Sequence, residues 1–102
     1  METRDVLNEV HEERLRQNNK WGIQDHNCIE WIAILTEEVG EAAKEAVDFH
    51  FANVATGDRV SSELTEQEQR ISDYRKEMIQ VAAVAAQAVE SLDRQTNNSF
   101  KQ

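Results

Sequence analysis

The run Trp31-Ile32-Ala33-Ile34-Leu35-Thr36-Glu37-Glu38-Val39-Gly40-Glu41-Ala42-Ala43-Lys44-Glu45-Ala46-Val47-Asp48-Phe49 decides how this chain folds. It holds no proline, and its apolar residues recur with a helical period. On a wheel of about 100° per residue, Trp31, Ile34, Ala42 and Phe49 project together, and Glu38 projects with them. Glu41 and Glu45 follow on the same side of the helix. A carboxylate inside an apolar stripe must be hydrated, paired or bound to a cation, because an isolated buried charge is costly. Lys44 projects to the far side, so nothing basic lies one turn away on that face. Like charges gathered this closely repel unless something positive sits among them. The stretch therefore predicts a core helix that carries an acidic site for a divalent metal.

Outward from it, the pattern predicts two more helices. Upstream, Thr3 to Gln17 forms a first helix, with Thr3 or Asp5 as N-cap and a thin strip of Val6, Leu7, Val10 and Leu15. Asn18-Asn19-Lys20-Trp21-Gly22 breaks it, and a loop runs on through Ile23-Gln24-Asp25-His26. Asn27 with Glu30 makes a capping box that opens the second helix. That helix carries Trp31, Ile34, Leu35, Val39, Ala42, Ala46 and Phe49 and ends near Ala52 or Asn53. A linker covers 54–62, and a third helix begins in the Ser62–Thr65 region, with Thr65 and Glu68 as a second capping box. Its stripe is Ile71, Tyr74, Met78, Val81, Ala85, Ala88, Val89 and Leu92, and the polar tail 96–102 is expected to fray.

Composition narrows the class. The 102 residues include no proline and three glycines, which with abundant Ala, Glu, Gln and Val predicts an all-α bundle of three main helices in a single domain, 1–102. Eleven basic against 20 acidic residues leave a net charge of −9, which disfavours a nucleic-acid backbone or an anionic membrane as partner. One cysteine, Cys28, excludes an internal disulfide framework and fits a reducing cytoplasm. Neither a membrane span nor an N-terminal signal segment is expected. The third helix, at about 30 residues and 45 Å, outruns a compact chain with a radius of gyration of about 13 Å. Val81-Ala82-Ala83-Val84-Ala85-Ala86 is also apolar all round. Both features predict a homo-oligomer, a dimer or a tetramer.

Glu37-Glu38-Val39-Gly40-Glu41 reads as Glu-Glu-x-x-Glu, and Glu77-Met78-Ile79-Gln80 lies on the next long helix. The pair resembles the signature of the MazG-like all-α nucleoside triphosphate pyrophosphohydrolases, Glu-Glu-x-x-Glu followed by Glu-x-x-Asp. The resemblance runs from Arg16 to Leu92 and takes in the Trp21-Gly22-x-Gln24-x-His26 loop, Trp31 and the Val81-Ala82-Ala83-Val84 run.

It implies a Mg²⁺-dependent hydrolase, with Mn²⁺ as a substitute, that converts nucleoside triphosphates to monophosphate and pyrophosphate in nucleotide-pool housecleaning. Glu38, Glu41, Glu77 and Gln80 become the metal ligands, and Glu37 or Glu45 the group that orients or deprotonates water. Trp21 becomes the platform for a nucleobase, with Gln24 and His26 beside it, while Lys20, Lys76, Arg70 and Arg75 are candidates for phosphate contacts. Two departures stand out: Gln80 replaces the family's aspartate, and 35 residues separate Glu41 from Glu77, a long spacing for the family. Gln80 keeps a second role open, that of a non-catalytic metal- or nucleotide-binding or helical interaction protein.

Overall fold

A computed structural model of the chain describes residues 1–55 and 61–100, and side chains outside 52–65 and 97–100. Among these residues the protein is all-helical: α1 is Thr3–Trp21, α2 Cys28–Ala55 and α3 Ser61–Phe100. At the start of α1 the Glu2 backbone N–H donates to Asp5 Oδ2 at 2.9 Å, so the cap lies at Glu2 rather than at Thr3 or Asp5. The expected box opens α2. Asn27 N–H donates to Glu30 Oε1 at 3.0 Å, and Glu30 N–H to Asn27 Oδ1 at 2.8 Å.

α3 is the spine. It packs against both α1 and α2, whose backbones do not approach each other among the described residues. α2 and α3 run antiparallel, so that Trp31 meets the Leu92 end and Asp48 meets Arg70 at 3.6 Å. Among the described residues the buried hydrophobic side chains are Val10, Trp31, Ala42, Ala83 and Val84, a thin core. Arg14, Gln87 and Ser91 are buried with them. The molecule measures 66 × 27 × 23 Å, and its radius of gyration of 17.5 Å exceeds the 13 Å expected of a compact chain, a value of about that size following from length alone. No described helix is long and apolar enough to cross a membrane.

Several boundaries move. α1 continues four residues past Gln17, because the Arg14 guanidinium holds the Asn18 side chain at 3.0 Å within the helix. It stops at Gly22, whose φ of 76° favours glycine and whose N–H donates to Asn18 O at 2.9 Å. α2 reaches Ala55, and α3 begins at Ser61, which puts Thr65 inside the helix and removes it as a cap. α3 has 40 residues rather than about 30 and extends through Phe100. Most of the expected linker lies outside the described residues.

The stripes also divide. On α1, Val10 is buried whereas Leu7 and Leu15 are exposed. On α3 the packed face is Ala83, Val84, Gln87 and Ser91, while Ile71, Met78, Val89 and Leu92 from the expected stripe face outward, as Val39 does on α2. On α3, therefore, the expected stripe is not the packed face: small and polar residues occupy the inward side.

Candidate metal centre

Glu38 and Glu41 lie three apart on α2, which puts them on one side of that helix. Antiparallel packing brings Glu77 of α3 opposite. One carboxylate oxygen from each of the three lies within 4.8 Å of the others. Oxygens on opposite sides of a bound divalent cation stand about 4–5 Å apart, twice the metal–oxygen distance, so the spacing suits a shared ion. Glu38 Oε2 and Glu77 Oε2 are both buried without a hydrogen-bond partner. Orphaned buried oxygens on acidic side chains are unusual in a folded protein and fit a centre that accepts a cation.

The electrostatics agree with that geometry. Burial raises the Glu38 carboxyl above its ordinary range, and Glu41, Glu77, Glu37 and Glu13 push it in the same direction. Burial likewise raises Glu77, reinforced by Glu41 and Glu45, with Lys76 pulling modestly the other way. No described Lys, Arg or His makes an ion pair with Glu38, Glu41 or Glu77. Lys44 is turned away and pairs with Asp48 at 3.3 Å.

The remaining predicted residues separate into three places. Glu37 is exposed and Glu45 half-buried, and both lie close enough to act on the triad's charges, Glu37 on Glu38 and Glu45 on Glu77. Gln80, half-buried, shares a side of α3 with Glu77 through its three-residue spacing. Lys76 lines a cleft of about 360 Å³ between α1 and α3, together with Glu13, Arg16 and Arg75. Arg75 is committed there to Glu9 at 2.8 Å, and Arg70 to Asp48 and Glu66.

Trp21 and Lys20 close α1 rather than occupying a loop, with Lys20 Nζ 4.8 Å from the indole centroid. Trp21 remains largely exposed. Gln24 and His26 lie beside Trp31: the His26 ring meets the indole edge-on at 4.9 Å, and His26 Nε2 is 3.4 Å from Gln24 Oε1. Trp31 lies seven positions before Glu38, about 10 Å along the helix. The structure therefore brings Glu38, Glu41 and Glu77 together and sets Gln24 and His26 apart from them, beside Trp31.

Sequence reasoning missed two contributors. Glu13 of α1 adds its charge to the field at Glu38, although it is paired with Arg16. The loop is held by α3 through Asp25, which accepts from Ser91 Oγ at 2.9 Å and from Arg94 Nη2 at 2.7 Å. Gln95 Nε2 also donates to His26 O at 3.1 Å. Four-residue spacing of Ser91 and Gln95 was the available signal, but its partners are more than 60 residues away in sequence.

No family model, curated protein or solved structure matches the chain.

Proposed function

We propose that the protein is a divalent-cation-dependent hydrolase of nucleoside triphosphates, using Mg²⁺ or Mn²⁺ at the Glu38–Glu41–Glu77 centre. The observation that carries the reading is the convergence of three carboxylates from two helices, with two buried oxygens lacking any partner. Oxygen-only ligands favour a hard cation, and Mg²⁺ is commonly held by a few carboxylates plus substrate phosphates. The likeness of Glu37-Glu38-Val39-Gly40-Glu41 and Glu77 to the MazG-like motif supports a triphosphate as substrate.

In this reading Glu38, Glu41 and Glu77 hold the ion, and Gln80 offers an amide oxygen in place of a fourth carboxylate. When bound, the ion supplies charge neutralisation to the polyphosphate and acidifies water. Glu37 or Glu45 accepts a hydrogen bond from the attacking water and takes its proton. Water adds across the α–β anhydride: one P–O bond forms, the bridging P–O bond breaks, and monophosphate and pyrophosphate leave. Lys76, next to Glu77 in sequence and lining the α1–α3 cleft, would supply a cation for a phosphate oxygen.

A panel of standard and modified nucleoside triphosphates, incubated with Mg²⁺ and read by pyrophosphate release, tests the reading. Turnover that depends on metal and on Glu38 is the expected result. Mg²⁺ binding with no turnover of any triphosphate would reduce the site to a metal-binding one, the role that Gln80 in place of aspartate favours.

A further inference from the structure

A groove of about 320 Å³ opens between the start of α2 and the C-terminal part of α3. Its walls are aliphatic, Ile32 and Leu35 from α2 with Val89 and Leu92 from α3. Trp31 lines it as well, and Trp21 does not. The volume lies in the range of small-molecule sites, which join apolar walls to a few placed polar groups.

Antiparallel packing gathers those polar groups at one end. Asn27 Oδ1 is taken by the Glu30 N–H at 2.8 Å, which leaves Asn27 Nδ2 as a donor. Gln95 Nε2 donates to His26 O at 3.1 Å and to Ser91 Oγ at 3.0 Å, which leaves Gln95 Oε1 as an acceptor. Trp31 is 5% exposed, yet its Nε1 has no hydrogen-bond partner. A buried indole N–H ordinarily finds an acceptor. The ring set against the indole, His26, is held by long contacts, 3.4 Å to Gln24 and 4.0 Å to Glu30, so it can turn aside for one.

These features select a flat, neutral heteroaromatic ring. No Lys, Arg, Asp or Glu lines the groove, so it offers nothing to a phosphate or another charged group. Aliphatic walls suit the faces of a ring and not a sugar, whose hydroxyls would lose their water there. A plain hydrocarbon would leave the Asn27 donor and the Gln95 acceptor unmatched, whereas the edge of a nucleobase carries both kinds of group. Placement decides which ring. Trp31 and Glu38 lie seven positions apart on the same side of α2, about 10 Å along its axis. A ribose and the first phosphates of a nucleotide cover a gap of that size.

We propose that this groove holds the nucleobase of the triphosphate whose phosphates meet the Glu38–Glu41–Glu77 centre. The assignment rests on the triphosphate hydrolase reading, and it adds Val89, Leu92 and Gln95 of α3 to the substrate site.

Cys28 also lines the groove and is exposed, so its alkylation by iodoacetamide reports occupancy. Nucleosides without phosphates should slow that alkylation, and Mg²⁺ should not alter their effect. Nucleoside triphosphates with Mg²⁺ should protect at concentrations at least about tenfold lower, because one molecule then engages two sites. Glu38→Gln should abolish this gain and leave nucleoside protection unchanged, and tripolyphosphate with Mg²⁺ should not protect. Leu92→Trp, which fills the groove from a position 47% exposed, should raise KM about tenfold or more with a much smaller change in kcat. If that variant fails to fold, protection of Cys28 in the unaltered protein still decides. Equal protection by tripolyphosphate, or none by any nucleoside, overturns the proposal. So does protection by indole when Mg²⁺ adds nothing for nucleotides, which would make the groove a site for free ring compounds. Nucleoside protection without turnover of any triphosphate would remove the hydrolase reading and leave the ring site standing. Turnover with Cys28 unprotected would do the reverse.

Discussion

At Glu38 burial and the repulsion of neighbouring carboxylates act in one direction, and both disfavour the charged form. Glu38→Gln conserves shape and removes a charge. Apo stability should stay level or rise, and the stabilisation that millimolar Mg²⁺ confers on the unaltered protein, about 1–3 kcal/mol when the ion is well above its dissociation constant, should shrink sharply. Thermal melts with and without Mg²⁺ measure both. A glutamate kept for a structural partner would instead destabilise the fold on substitution and leave Mg²⁺ without effect. Gln80→Asp should act oppositely on the apo state: a further negative charge beside Glu77 lowers the melting temperature without metal, and calorimetry should show tighter Mg²⁺ binding. Abolished binding would mean that Gln80 serves another purpose. Glu38 and Glu41 could be read from sequence because Glu38 breaks an apolar stripe, whereas Glu77 entered only through the motif resemblance. Glu13 could not, since its influence depends on how α1 docks.

At the scale of elements, α1 is held to α3 by polar contacts more than by its own apolar strip. Arg14, buried, donates to Glu90 through Nη2 at 2.6 Å and Nε at 3.1 Å, and to Gln17 and Asn18 on its own helix. That bidentate bond draws the Glu90 carboxyl below its usual range. Arg14→Met should cost about 1.5–3 kcal/mol, the range for hydrogen bonds to charged groups, with the lower end favoured because Glu90 is half-exposed. Arg75→Ala removes a solvent-exposed pair with Glu9 and should cost no more than about 0.5–1 kcal/mol. Denaturant midpoints rank the two, and equal losses would contradict α1 docking chiefly through Arg14. Amide exchange in α1 should also quicken in Arg14→Met alone, as its docking loosens.

Across the whole molecule, two sets of carboxylates pull the pH dependence in opposite directions. Glu38 and Glu77 have raised pKa values when folded, so between the ordinary glutamate value of 4.5 and the folded value the native state binds more protons than the unfolded one. Stability then falls as pH rises through that window. Glu9, Glu13, Asp25 and Glu90 are lowered, so their contribution is present above the ordinary value and is lost as pH drops through the folded one. The apo protein should therefore be most stable in acid solution near the ordinary carboxylate values, and less stable at neutral pH. With saturating Mg²⁺ the neutral-pH loss should vanish, because the ion competes with protons for the same oxygens. Melting temperatures across pH, with metal and with chelator, test this. An apo profile that climbs steadily to neutrality would remove the case for a repulsive acidic centre.

Local rules carried far in this chain. Helical period, the absence of proline, the reciprocal Asn27–Glu30 cap and the anomaly of Glu38 in an apolar stripe all act within a few residues, so the sequence alone determined three helices and an acidic centre on the second. What lies between helices was decided in three dimensions. Small Ala83 and polar Gln87 and Ser91 face inward on α3 because close approach of α2 and the Asp25–Arg94 clamp reward them there, while larger Met78, Val89 and Leu92 are left outside. Glu77 became the third member of the centre only through antiparallel pairing, which turns a separation of 35 residues in sequence into oxygens less than 4.8 Å apart. Periodicity records which faces of a helix are apolar; which of those faces meets its neighbour depends on the volumes and partners that the neighbour brings.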